Sequence, residues 1–184
     1  MNTNRLSKTV EKILNHQLAK EANASQIYLA YGVWADSEGY GGVANFLFRH
    51  SQEERDHMTK VLSYIMERGG RPNIGGVEAP PADPKNIQDC FEKIFQHEVD
   101  NTNAIYEIVS LALEEKDWAT WNFAQWFVKE QIEEEAMVLD IMDQLKIAGG
   151  PKASSESLYH FDFRIGKKDD EEELARDATS NNPL

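Results

Sequence analysis

Four long stretches of the chain repeat apolar residues at the spacing of one helix face, and almost nothing alternates with the period of a strand. This restricts the fold to packed helices, expected at about residues 5–36, 42–68, 87–115 and 118–148. The hinges EGYGG and EKDW are short, so the first two helices are antiparallel neighbours, and so are the last two. Between the second and third helices lies a breaker-rich stretch carrying GGRPN, GG, PP and DPK, long enough to cross a whole bundle. Such a crossover leaves those two helices parallel. After Gly149-Gly150-Pro151, the spacing of Leu158, Phe161 and Ile165 predicts a short fifth helix over about 153–164. The expected architecture is all-α: a four-helix bundle with a long crossover between helices two and three, plus a short fifth helix. Residues 1–165 form its one domain, and the acidic stretch 166–184 is expected as a mobile tail.

The interruptions of each apolar stripe carry the chemistry. In the fourth helix Ala124, Phe127, Val138, Ile141 and Leu145 keep core spacing, and the two positions missing from the stripe are Gln131 and Glu134. Glu54 lies one heptad from both Leu47 and Val61, with His57 one turn later. Glu98 falls between Phe91 and Ile105 in the same way, and Glu21 between Leu14 and Tyr28. Each helix thus turns one glutamate toward the core, within about three residues of its midpoint, and at 1.5 Å rise per residue all four share nearly one level. Converging carboxylates in a dry interior are strongly unfavourable unless some are protonated or cations lie among them. Oxygen ligands with one imidazole suit iron or manganese in a dinuclear site; a closed zinc site would use Cys or more His. A lone E-x-x-H such as Glu54–His57 is usually solvated helix surface. Agreement in phase and height across four helices points to a metal.

The charge balance agrees. With 19 Lys+Arg against 32 Asp+Glu the net charge is −13, the wrong sign for a chain that neutralises nucleic-acid phosphates; it suits a chain that handles cations or simply one that stays soluble, and charge alone does not separate these. Cys90 is the only cysteine, which excludes an intramolecular disulfide and a Cys-based metal cluster. No stretch approaches the ~20 apolar residues of a membrane span, and MNTNRLSKTVEKIL has no apolar signal core. The expectation is a cytoplasmic protein without nucleic-acid or membrane partners.

The segments HSQEERDHM, HEVD and NFAQWFVKEQIEEE, in this order and with this crossover, resemble the bacterial-type non-haem ferritins from about Leu6 to Phe163. The resemblance implies that Glu21, Glu54 and His57 bind a first iron, and that Glu54 bridges to a second. Glu98 and Glu134 would hold that second iron, with Gln131 beside it. A third iron position maps onto Glu53, Glu130, Glu133 and Glu134. Tyr28 would adjoin the centre as hydrogen-bond partner or electron donor, whereas Trp126 reads better as packing. His50, one heptad before His57, reads as packed and hydrogen-bonded. Bacterioferritins and rubrerythrins carry a second E-x-x-H in the fourth helix, where this chain has Gln131 and Glu134. Arg55 stands where bacterioferritins place a haem-ligating methionine, so no haem is expected.

The implied activity is a ferroxidase: two Fe(II) each lose an electron to O2 or H2O2, and the ferric product is stored as oxide mineral inside a hollow homo-oligomeric shell of about 24 subunits. Three alternatives stand beside it. They are a peroxide-scavenging diiron protein, an iron-binding shell that does not oxidise, and a metal-free helical adaptor with protonated acids.

Overall fold

The computed structural model describes residues 3–180, with side chains through residue 167. Four long helices come in the expected order: α1 Lys8–Ser37, α2 Gly41–Glu67, α3 Ile87–Glu114 and α4 Trp118–Ala148. Side-chain caps open three of them. Ser7 accepts from the Val10 N–H, Asn86 from Asp89 and Asp117 from Thr120, each satisfying a donor the first turn cannot pair itself. At the other end α4 stops at Gly149, whose φ of 118° is readily open only to glycine. No strand occurs among the described residues.

The crossover runs along α1, held there by backbone donors on α1 side chains. Arg71 N–H donates to Glu11 at 2.7 Å, Asn73 N–H to Asn15 at 2.6 Å and Glu78 N–H to Asn23 at 2.9 Å. The contacts at residues 11, 15 and 23 climb the helix in order, so a stretch without secondary structure of its own still has a defined path. The Arg71 amide and the Asn4 side chain hold the Glu11 carboxyl below its ordinary pKa.

After a single 3-10 turn, Gly150–Lys152, the fifth helix runs Ser155–Ser180, well past the expected end near residue 164. The polar run beyond Gly166, expected as a mobile tail, continues helically. Its Lys, Glu, Leu, Ala and Arg are good helix formers even without an apolar stripe. Residues 181–184 lie outside the described residues. Phe161 and Ile165 bury the start of α5 against the bundle. Asp162 caps α2 across 120 positions of sequence, accepting from Gly42 N–H at 3.0 Å and Val43 N–H at 2.8 Å. Tyr40, the local cap position, makes no side-chain bond there. Glycine is required at 42 for closeness, since a Cβ there would lie 2.0 Å from the Asp162 carbonyl oxygen.

The core is divided. One apolar cluster joins Tyr31, Leu47, Phe91, Ile94 and Ile141 with Phe161 of α5. The other joins Leu14, Leu18, Val61, Ile65, Ile105 and Phe127. Both consist of heptad-spaced residues. The helix residues between them are the polar interruptions read from the sequence.

Candidate metal centre

Between the two apolar halves the relative exposures of the four glutamates are 0% for Glu21, 2% for Glu54, 1% for Glu98 and 7% for Glu134. His57 and Gln131 are buried with them. One helix contributes each carboxylate, because each occupies a stripe position whose neighbours a turn or a heptad away are fixed in the core.

Ligand atoms of Glu21, Glu54 and His57 all come within 4.8 Å of one another, the spacing of donors around one cation. His57 Nδ1 and Glu54 Oε2 face each other at 3.5 Å, and neither atom has a hydrogen-bond partner among the described residues. Two buried polar atoms without partners, one from an imidazole and one from a carboxylate, are what a bound divalent cation would satisfy. Burial, reinforced by the charges of Glu21 and Glu98, pushes the Glu54 carboxyl well above its ordinary pKa. In the metal-free bundle this group keeps its proton to higher pH.

The second half of the centre is built around Glu98. Tyr28 O–H donates to Glu98 Oε1 at 2.6 Å, and Gln131 Nε2 donates to Glu98 Oε2 at 3.2 Å. Both carboxylate oxygens are therefore oriented before any cation arrives. Burial first, then the charges of Glu98, Glu134 and Glu54, drives the Tyr28 hydroxyl far above its ordinary pKa, so it stays a donor. Glu134 reaches the same interior from α4.

The residues assigned to a third position separate. Glu53 groups with Glu134 and with His50, whose Nδ1 lies 2.9 Å from Glu53 and 3.9 Å from Glu134. Glu130 instead lies 3.8 Å from His57 Nε2. Glu133 pairs with Lys129 at 3.2 Å on the surface, its side chain 60% exposed. His50 is buried and packed on Phe46 at 4.2 Å between ring centres, as its phase indicated, and it also offers a nitrogen to the carboxylates. A surface cavity of about 260 Å³, lined by Glu53, Asp56, His57, Lys60, Trp126 and Glu130, opens directly onto His57. Trp126 stands edge-on to that imidazole at 5.4 Å and carries Lys60 Nζ 4.0 Å over its ring.

Two further residues of the centre escaped the sequence reading. Gln17 Nε2 donates to Glu21 Oε1 at 2.7 Å and to Asn101 Oδ1 at 2.7 Å, both inside the bundle. The signal for them existed, since Gln17 and Asn101 interrupt the stripes of α1 and α3 just as the glutamates do.

A four-helix bundle with a crossover between its second and third helices and a carboxylate–histidine centre at mid-height defines the ferritin-like class. A ferritin-like domain family matches residues 11–148. A probable bacterial non-haem ferritin-like protein of Haemophilus influenzae is 40% identical over 144 residues, covering 78% of this chain and 87% of the relative. A bacterial non-haem ferritin of Campylobacter jejuni is also 40% identical, covering 78% of this chain and 86% of the relative. The solved open-pore ferritin of Archaeoglobus fulgidus superposes with a TM-score of 0.84 at 37% identity, covering 88% of this chain and 97% of that one. The chain belongs to the ferritin family of iron-storage proteins. Among the described residues no helix is long and apolar enough to cross a membrane.

Proposed function

We propose that this chain is the subunit of a non-haem ferritin that oxidises Fe(II) within its own bundle and stores the product as ferric mineral. The observation that carries this reading is the set of four buried glutamates, one per helix, with unpartnered atoms of Glu54 and His57 facing each other. Iron enters as substrate. The acid-lined cavity over His57 is its route, and carboxylate ligands favour the ferric product over the ferrous substrate. Glu21 and His57 hold the first ion, Glu98 and Glu134 the second, and Glu54 lies between them. Two Fe(II) each lose one electron, and O2 takes up both electrons with two protons to give hydrogen peroxide. Tyr28 and Gln131 keep Glu98 facing the ions throughout.

For a third ion the geometry favours His50, Glu53 and Glu134 over the set that includes Glu130 and Glu133. Assembly into a shell of about 24 copies is supported by apolar side chains left at the surface, among them Val33 at 59% exposure and Ile132 at 62%. A cytoplasmic location remains part of the same reading.

The test is anaerobic Fe(II) loading followed by rapid mixing with oxygen, with transient absorbance and oxygen consumption followed together. Fast oxidation saturating near two irons per subunit is expected, and Glu54→Ala should abolish it while leaving assembly intact. Oxidation no faster than in buffer would exclude a ferroxidase and leave a shell that stores without oxidising. A faster reaction with H2O2 than with O2 would favour the peroxide-scavenging reading.

A further inference from the structure

Asn101 is 2% exposed, on α3, beside Glu21 and Gln131 of the metal centre, and neither ion position of the proposed centre includes it. Its surroundings fix the direction of a chain of hydrogen bonds that is buried except at its Glu135 end. Thr102 Oγ1 gives its single proton to Glu135 Oε1 at 2.5 Å, so it can only accept from Gln131 Nε2 at 3.3 Å. Gln131 Nε2 also donates to Glu98 Oε2, which leaves Gln131 Oε1 turned the other way, toward Asn101 Nδ2 at 3.5 Å. The same Nδ2 lies 3.5 Å from Glu21 Oε2. Asn101 Oδ1 must then face Gln17, which donates to it at 2.7 Å and to Glu21 Oε1 at 2.7 Å.

Every amide along this path has one orientation consistent with its neighbours, and donors run in a single direction from Gln17 to Glu135. Glu21, of the first ion position, and Glu98, of the second, each receive amide donors from it. Asn101 is the middle link. The two contacts of its Nδ2 are long and shared, so they hold through the placement of the ring of partners more than through either bond alone.

We infer that Asn101 is a positioning residue that couples the two ion positions, by setting Glu21 and Gln131, and through Gln131 also Glu98, in one fixed arrangement across the bundle. Gln131 serves this arrangement as a donor to Glu98, with its amide oxygen committed to Asn101 rather than to an ion. The inference rests on the two-ion reading of the centre given above.

Co(II), which stays divalent in air under ordinary conditions, separates the two. Assembled, metal-free protein is titrated with Co(II) by calorimetry and by visible absorption, with oxidation of Fe(II) measured in parallel. Asn101→Leu should lower the affinity for the first Co(II) by about tenfold, the effect of losing hydrogen bonds to a charged group. It should also split binding into two distinct steps and change the visible bands as Gln131 Oε1 is released. In a double-mutant cycle, Gln131→Leu should remove most of the further effect of Asn101→Leu on the second step. Wild-type affinities and bands in Asn101→Leu, with two Co(II) still bound, would overturn the inference and leave the ferroxidase reading standing. Failure of the unaltered protein to bind two Co(II) would instead overturn that reading, and this inference with it. Should Asn101→Leu not assemble, Asn101→Ser removes the reach of the amide without adding apolar bulk and carries the same expectations.

Discussion

Replacing Glu54 by glutamine should make the metal-free protein more stable and the metal-loaded protein less so. Glu54 is buried among Glu21, Glu98 and Glu134, and burial and repulsion hold its pKa above the ordinary 4.5. A carboxyl whose pKa is raised by folding contributes stability fully present below its unfolded value, and loses it as pH climbs through the folded value. Near pH 7.5, then, wild-type apo-protein carries the cost of either a retained proton or a buried repelling charge. Glutamine carries neither, and apo Glu54→Gln should melt higher. With cations the sign reverses. A ligand bound only to the folded state adds about 2.7 kcal/mol at a hundredfold excess over its dissociation constant, so two sites add roughly 5 kcal/mol. In a chain of this length about 1 kcal/mol moves the midpoint by 2–4 °C, so Co(II) should raise the wild-type midpoint by roughly 10–20 °C. On the proposed reading Glu54 lies between both positions, and a neutral amide is a poor substitute at each, so Glu54→Gln should keep only a small part of that shift. Scanning calorimetry at one fixed rate, with and without Co(II), measures both effects. A mutant that melts lower than wild type when metal-free, or that gains the full metal-induced shift, would refute the placement of Glu54 between the ions.

Other perturbations separate the remaining parts of the centre and the fold. Tyr28→Phe deletes the donor held 2.6 Å from Glu98 Oε1 and should weaken ion binding on the Glu98 side by about tenfold, measured by Co(II) calorimetry; an unchanged Co(II) isotherm would count against it. His50→Leu should reduce iron bound per subunit from three toward two, whereas Glu133→Ala should leave that number alone, because only His50 is grouped with Glu53 and Glu134. The reverse result would return the third position to the surface acids. Asp162→Ala removes the side-chain cap that α2 receives among the described residues and should cost about 1 kcal/mol, seen as a midpoint 2–4 °C lower; no drop would mean that water caps the helix equally well.

The stripe pattern made most of the bundle legible because each helix must bury one face, and a charged residue in that face is costly enough to be conspicuous. Glu21, Glu54, Glu98 and Glu134 all lie where that argument puts them. The same pattern contained Gln17 and Asn101, but an uncharged amide in a stripe is an ordinary event, and only its partners reveal that it orients a ligand. Glu130 and Glu133 show the opposite limit. Both adjoin stripe residues in sequence, yet Glu130 comes within 3.8 Å of His57 Nε2 while Glu133 pairs with Lys129 at the surface, and adjacency in sequence does not tell the two apart. The Asp162 cap joins residues 120 apart and follows from the close passage of α5 over Gly42, which no local pattern encodes. The length of α5 was hidden for another reason. Its second half has helix-forming composition without an apolar stripe, so periodicity gave no signal there.

The division of the core into two apolar halves explains how such a centre can be kept at all. A polar layer across the middle of a bundle removes buried apolar contacts where the helices are best aligned, and it adds repulsion between carboxylates. The residues that compensate are outside the layer: Leu14, Val61 and Phe127 on one side, Leu47, Phe91 and Ile141 on the other. Because both halves are packed without the ligands, on the proposed reading removal of a cation would leave the helices in place and return only the local strain of Glu54. That strain has a direction. On the proposed reading an incoming divalent ion would relieve the repulsion around Glu54 and displace any proton its raised pKa retains there, so loading would be favoured by higher pH. On the proposed reading, iron leaving for the mineral restores the unfavourable set of carboxylates, and the next Fe(II) is drawn into it. The scaffold therefore preserves the vacated centre between turnovers, as a centre that handles iron as cargo requires.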